Sequence, residues 1–171
     1  MRLFTILFFP LVLSISGSGG EIGVDLNALD ALCERIGKSE TLVVYKGLPR
    51  RESLPDDAPE PKKEDGIAIH GYFFFPQPHR VDEKEMRALQ KLCTHKDSFK
   101  KWRGPKKCGG YHPDYCLQFK LGDTVTEVLL CYGCNEAKIF GKESNLYCDI
   151  EEKLLKDLEV ILERVTANAK K

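Results

Sequence analysis

Residues 115–148 read YCLQFKLGDTVTEVLLCYGCNEAKIFGKESNLYC, and this stretch decides the fold. Four β-like runs, Tyr115–Lys120, Thr124–Cys131, Asn135–Phe140 and Leu146–Cys148, are separated by turn residues at Gly122-Asp123, Tyr132-Gly133 and Gly141–Asn145. Connections this short can only join strands that lie side by side and run in opposite directions, so the segment predicts an antiparallel meander. Directly after it, Asp149 and Glu152 have the spacing of a capping box. Leu154, Leu155, Leu158, Ile161, Leu162 and Val165 then recur at helical period. That stripe, on a helix over about 150–165, needs an apolar face to cover it, and the meander supplies one. The expected fold class is α+β, an antiparallel β-meander sheet packed against amphipathic helices in a single domain.

Upstream, Asp25 is placed to cap a helix that carries Leu29, Leu32, Cys33 and Ile36 on one face and stops at Gly37. Thr41–Tyr45 is a short β-like run. Residues 50–66 hold Pro55, Pro59 and Pro61 among charges and read as an exposed Pro-rich loop. Ile67–Phe75 reads as one strand whose consecutive aromatics, Tyr72 to Phe75, are assigned to the core. Asp82 with Glu85, and Val81 with Met86, announce a second helix, with Met86, Leu89, Leu92 and Cys93 facing inward. Residues 96–107 are basic and irregular. Neither a βαβ alternation nor a Gly-rich phosphate loop occurs, which argues against a nucleotide-binding α/β fold.

At 171 residues, 42% apolar and 30% charged, the chain can bury a core. Its 26 basic and 26 acidic residues cancel, which argues against a specific nucleic-acid binder, since such affinity rests on phosphate neutralisation. The N-terminus has the order of an export signal: Arg2, an apolar run from Leu3 to Ile15 too short to span a bilayer, then Ser14, Ser16, Gly17 and Ser18. The expected organisation is a signal peptide at 1–18, an N-terminal helical segment at 19–40 and an α+β domain at 41–171. The expected location is secreted or periplasmic, with no transmembrane span in the mature chain.

The densest chemistry lies in Cys108-Gly-Gly-Tyr-His112-Pro-Asp114-Tyr-Cys116 and Cys131-Tyr-Gly-Cys134. Three readings compete for Cys108, His112, Cys116, Cys131 and Cys134. Structural disulfides suit an oxidising compartment, and here both Cys131 and Cys134 are expected to be oxidised. A zinc-knuckle-like site would draw two thiolates from the Cys-x-x-Cys turn and complete the set with Cys108 and His112 or Cys116. A redox dithiol is disfavoured because a strand, not a helix N-terminus, follows the motif. His112 and Asp114 could pair as a general base, although Pro113 between them reads better as a strand-entry turn. Lys100, Lys101, Arg103, Lys106 and Lys107 lie close together without an acid and form a candidate anion-binding patch.

Gly-Gly-Tyr-His-Pro-Asp-Tyr at 109–115, Leu-Cys-Tyr-Gly-Cys at 130–134 and His-Gly-Tyr-Phe-Phe at 70–74 resemble a family of exported bacterial proteins to which no activity is assigned. The resemblance spans about 67–165 and implies a secreted or periplasmic domain marked by this Cys/His segment. The expected function is that of a non-catalytic binding or structural domain supported by disulfides, with an anionic surface or another exported protein as partner. The alternative is a zinc-binding or thiol-redox domain using the same cluster.

Overall fold

The computed structural model describes residues 25–95 and 97–167. The expected signal peptide at 1–18 lies outside them. The elements are α1 (Leu26–Lys38), β1 (Thr41–Lys46), β2 (Ile67–Ile69), β3 (Tyr72–Phe74), β4 (His79–Arg80), α2 (Glu83–Thr94), β5 (Phe99–Lys101), β6 (Tyr115–Leu121), β7 (Thr124–Cys131), β8 (Glu136–Phe140), β9 (Asn145–Ile150) and α3 (Glu152–Ala167). Seven strands form one antiparallel sheet in the order β4-β1-β6-β7-β8-β9-β5, and β2 and β3 form a separate hairpin. The fold is α+β, as the meander implied. β6 to β9 pair with their chain neighbours in continuous register, with Leu117 opposite Val128 and Ile139 opposite Leu146.

Strand side chains alternate between two faces. Leu117, Phe119, Val128, Leu130, Ile139 and Cys148 point to the face that all three helices cover, where they join Leu32, Ile36, Leu89, Leu158 and Leu162 in the main core. α1 therefore belongs to the same core as the meander. The other face is covered by the β2–β3 hairpin, which builds a smaller core from Phe74, Cys116 and Leu129.

Asp25 caps α1 by accepting from the Asn27 and Ala28 N–H groups at 3.0 and 3.2 Å, and Asp82 caps α2 by accepting from Glu85 N–H at 2.7 Å. Three local expectations need correction. α1 runs through Gly37 to Lys38. The strand expected over 67–75 is a hairpin, because His70 (φ 50°) and Gly71 (φ 80°) make a two-residue turn with both residues in the left-handed region. Asp149 does not cap α3: it ends up inside β9, and the neighbouring Glu151 accepts from Leu154 N–H at 3.0 Å instead. The basic stretch 96–107 also contributes an edge strand, β5, paired with β9.

Candidate functional site

Between β5 and β6 the chain runs without regular structure from Trp102 to Asp114 and lies across the hairpin-side face of the sheet. A disulfide from Cys108 to Cys134 ties this strap to the β7–β8 turn, with the two Cα atoms 5.8 Å apart. Gly109 and Gly110 (φ 75° and 91°) turn the chain just after the bridge. Arg50 grips the same corner, donating to the carbonyl oxygens of Cys108, at 3.1 Å, and of Gly110.

The bridge corrects one expectation. Cys131 is not oxidised: it stays a buried thiol beside the disulfide, as the last residue of β7. The candidate cluster also divides. Cys116 lies fully buried under the hairpin on β6, in the smaller core and away from the bridge. Cys33, Cys93 and Cys148 are free thiols in or against the main core, where burial pushes them up to about 11, 12 and 12. With Cys108 and Cys134 joined, two of the thiolates envisaged for zinc are spent. Among the described residues no three His, Cys, Asp or Glu side chains gather as metal ligands.

Asp114 directs its hydrogen bonds to the turn rather than to His112. Asp114 locks the turn: its Oδ2 accepts from Tyr132 N–H at 2.7 Å, its N–H donates to Leu130 O and its own carbonyl accepts from Gly47 N–H. Burial raises the Asp114 carboxyl above its ordinary range, opposed by that N–H, His112 and Arg50. Burial, and then the Arg50 charge, holds His112 below an ordinary imidazole. A Cβ on Gly47 would run into the Pro113 carbonyl, so the approach of β1 to this corner requires glycine.

These residues line a cleft of about 600 Å³ at one end of the sheet. Lys46, Arg50 and His112 bring cationic or donor groups to it, and Glu52, Asp114, and Glu159 and Glu163 of α3 bring carboxylates. The disulfide, the Cys131 thiol and Tyr132 are also in its lining.

The basic patch resolves differently from its sequence. Arg103 pairs with the buried Asp149 at 2.8 Å, and Lys106 with the same carboxylate at 2.9 Å and with the buried Glu136 at 3.6 Å. Lys106 also donates to the carbonyl oxygens of Cys134 and Asn135, so four oxygens surround its ammonium. Two of the five cations therefore pair with buried carboxylates, Lys106 half-buried and Arg103 from an exposed position, while Lys100, Lys101 and Lys107 are exposed. Burial alone would raise the Asp149 carboxyl, but Arg103 and Lys106 outweigh it and hold it below its ordinary value.

Sequence reading missed the aromatic frame beneath the strap. Trp102 stacks on Tyr147 with centroids 4.8 Å apart, and its indole N–H donates to Glu136 at 2.9 Å while the Tyr147 hydroxyl donates to the other Glu136 oxygen at 2.6 Å. The Lys138 ammonium sits 4.7 Å from the rings of both Tyr111 and Tyr147 and donates to the Tyr72 hydroxyl at 2.6 Å. The alternation Glu136, Lys138, Phe140 was a visible signal of a polar face, but nothing local marked Trp102 and Tyr111 as its cover.

None of the helices among the described residues is long and apolar enough to cross a membrane. Comparison with known proteins finds no matching family model, no matching curated protein and no matching solved structure.

Proposed function

We propose that the chain is an exported, non-catalytic binding domain in which the disulfide-tied strap forms one wall of a recognition cleft. The observation that carries this reading is the position of the bridge. Cys108–Cys134 joins two connections, a strap and a turn, at the edge of the cleft. Such bonds persist in oxidising compartments. The export-like order of residues 1–18 points to the same location.

The chemistry of the cleft supports binding over catalysis. Asp114 is engaged by the Tyr132 N–H and does not orient His112 as a base. Cationic and anionic groups both line the opening, which suits a polar segment of another exported protein carrying both charges. The anionic surface is the weaker partner, because Arg103 and Lys106 are already paired with the buried carboxylates of Asp149 and Glu136.

A photo-crosslinking residue at Glu163, on the cleft, tests this reading in the exported fraction. Capture of a discrete partner is expected there and not from Lys153, on the same helix but facing a different hollow. Arg50→Glu should abolish the capture. Equal capture from both positions, or mature protein that still begins at Met1, would refute the reading.

A further inference from the structure

We propose that Cys108, Cys131 and Cys134 form a thiol–disulfide exchange site, in which Cys131 takes over Cys134 and releases Cys108 as the thiol that meets a small disulfide substrate. The inference does not require the cleft to bind a protein partner.

Three observations carry it. All three cysteines line the same open cleft, and Cys131 is the free thiol that shares it with the bridge. Cys131 ends β7 opposite Glu136 of β8, so Cys134 lies in the four-residue connection that directly follows it, closed by Asn135 N–H to Tyr132 O at 3.2 Å. A reversal this short keeps positions 131 and 134 at one corner, where a local adjustment of the turn brings them to the ~4.4–6.8 Å Cα separation that disulfides span. Finally, the backbone N–H groups of His112 and Cys134 offset part of the rise that burial imposes on the Cys131 thiol, in keeping with its place beside Cys134.

The step balances within three sulfurs. Cys131 gives its proton to water, and its thiolate attacks the Cys134 sulfur. The Cys131–Cys134 bond forms as the Cys108–Cys134 bond breaks, and Cys108 leaves as a thiolate with the electron pair. No oxidant or reductant is consumed. The half-exposed Cys108 thiolate, on a strap hinged at Gly109, then attacks a low-molecular-weight disulfide; a mixed disulfide forms and one thiolate of the substrate departs.

Burial raises the Cys131 thiol, the N–H groups of His112 and Cys134 pull it back, and the carboxylates of Asp114 and Glu136 raise it further. The Tyr111 and Tyr147 phenols face it from the strap and β9. Exchange should therefore quicken as pH rises above neutrality.

The test is peptide mapping under non-reducing conditions after incubation of the oxidised full chain with oxidised glutathione. Wild type should show glutathione on Cys108 together with a Cys131–Cys134 bridge, both increasing at alkaline pH. Cys131→Ser should keep Cys108–Cys134 and lower the Cys108 adduct by about tenfold or more. Cys131→Ala serves if the serine variant unfolds, and Cys116→Ser should change nothing. The proposal is overturned if Cys108 is modified equally in the Cys131 variants, or if wild type keeps Cys108–Cys134 and never reacts. A chain lacking any bridge among the three would refute the disulfide and the exchange with it.

Discussion

Replacing Cys108 and Cys134 together by serine opens a loop whose ends are 26 residues apart. In the chain-entropy account, a cross-link closing a loop of that length removes about 12 cal/mol/K from the unfolded ensemble, or about 3.5 kcal/mol at room temperature. Both positions must change, because either single variant leaves a thiol beside Cys131. The native strap should stay seated in the double variant, since Arg103 and Lys106 still reach Asp149 and Trp102 still stacks on Tyr147. The loss therefore falls on the unfolded state. With a urea dependence of about 2 kcal/mol per molar, the unfolding midpoint should drop by about 1.7 M. Trp102 is the single tryptophan and sits on the strap, so its fluorescence reads the tied segment while far-ultraviolet circular dichroism reads the helices. A midpoint shift below about 0.3 M, with the bridge confirmed in wild type, would refute the reasoning. So would a tryptophan signal already lost before urea is added, because the ion pairs and the stack would then not hold the strap unaided.

Leu158 is fully buried on the inward face of α3, and Leu158→Ala should cost about 2–5 kcal/mol in chemical unfolding; a loss below about 0.5 kcal/mol would mean the helix is not docked. Asp149 has its folded-state pKa below the ordinary 3.8, so its contribution is complete above that value and lost as pH falls through the folded one. Asp149→Asn should accordingly flatten the acid limb of a stability–pH profile, and an unchanged slope below about pH 4 would contradict the pairing. Lys106→Met strips the cation from Asp149, Glu136 and two turn carbonyls at once. Thermal unfolding should register a loss on the order of 1.5–3 kcal/mol, the range for hydrogen bonds to charged groups.

The meander and the helix after it were legible because their signals are local: a turn every few residues, then a stripe of period 3.6. The capping residues Asp25 and Asp82 were legible for the same reason. Asp149 deceived because a capping box is only a spacing, and the competing ion pairs came from Arg103 and Lys106 more than forty positions upstream. The hairpin at His70-Gly71 was hidden because the usual signal for such a turn is Asn-Gly or Asp-Gly, and His-Gly is not among them. For the site, the cysteine segment marked the right region, but the identity of the partners depended on where the strap crosses the sheet. No periodicity encodes that path, so neither Cys108–Cys134 nor the seating of Lys106 could be read in advance.

The strand order has a consequence for how the chain comes to be folded. Val44 pairs with Leu117, across more than two-fifths of the sequence, and β5 waits for β9. Emerging from the ribosome, α1, β1 and α2 therefore precede the sheet on which their apolar faces come to rest. Closing so long a loop is slow, and it cannot begin until the strands near the C-terminus exist. The apolar faces of the N-terminal half therefore stay uncovered until the C-terminal strands are made. A truncation ending before Thr124 should accordingly show no cooperative unfolding transition, whereas a stable fragment of that length would mean that the N-terminal half folds on its own.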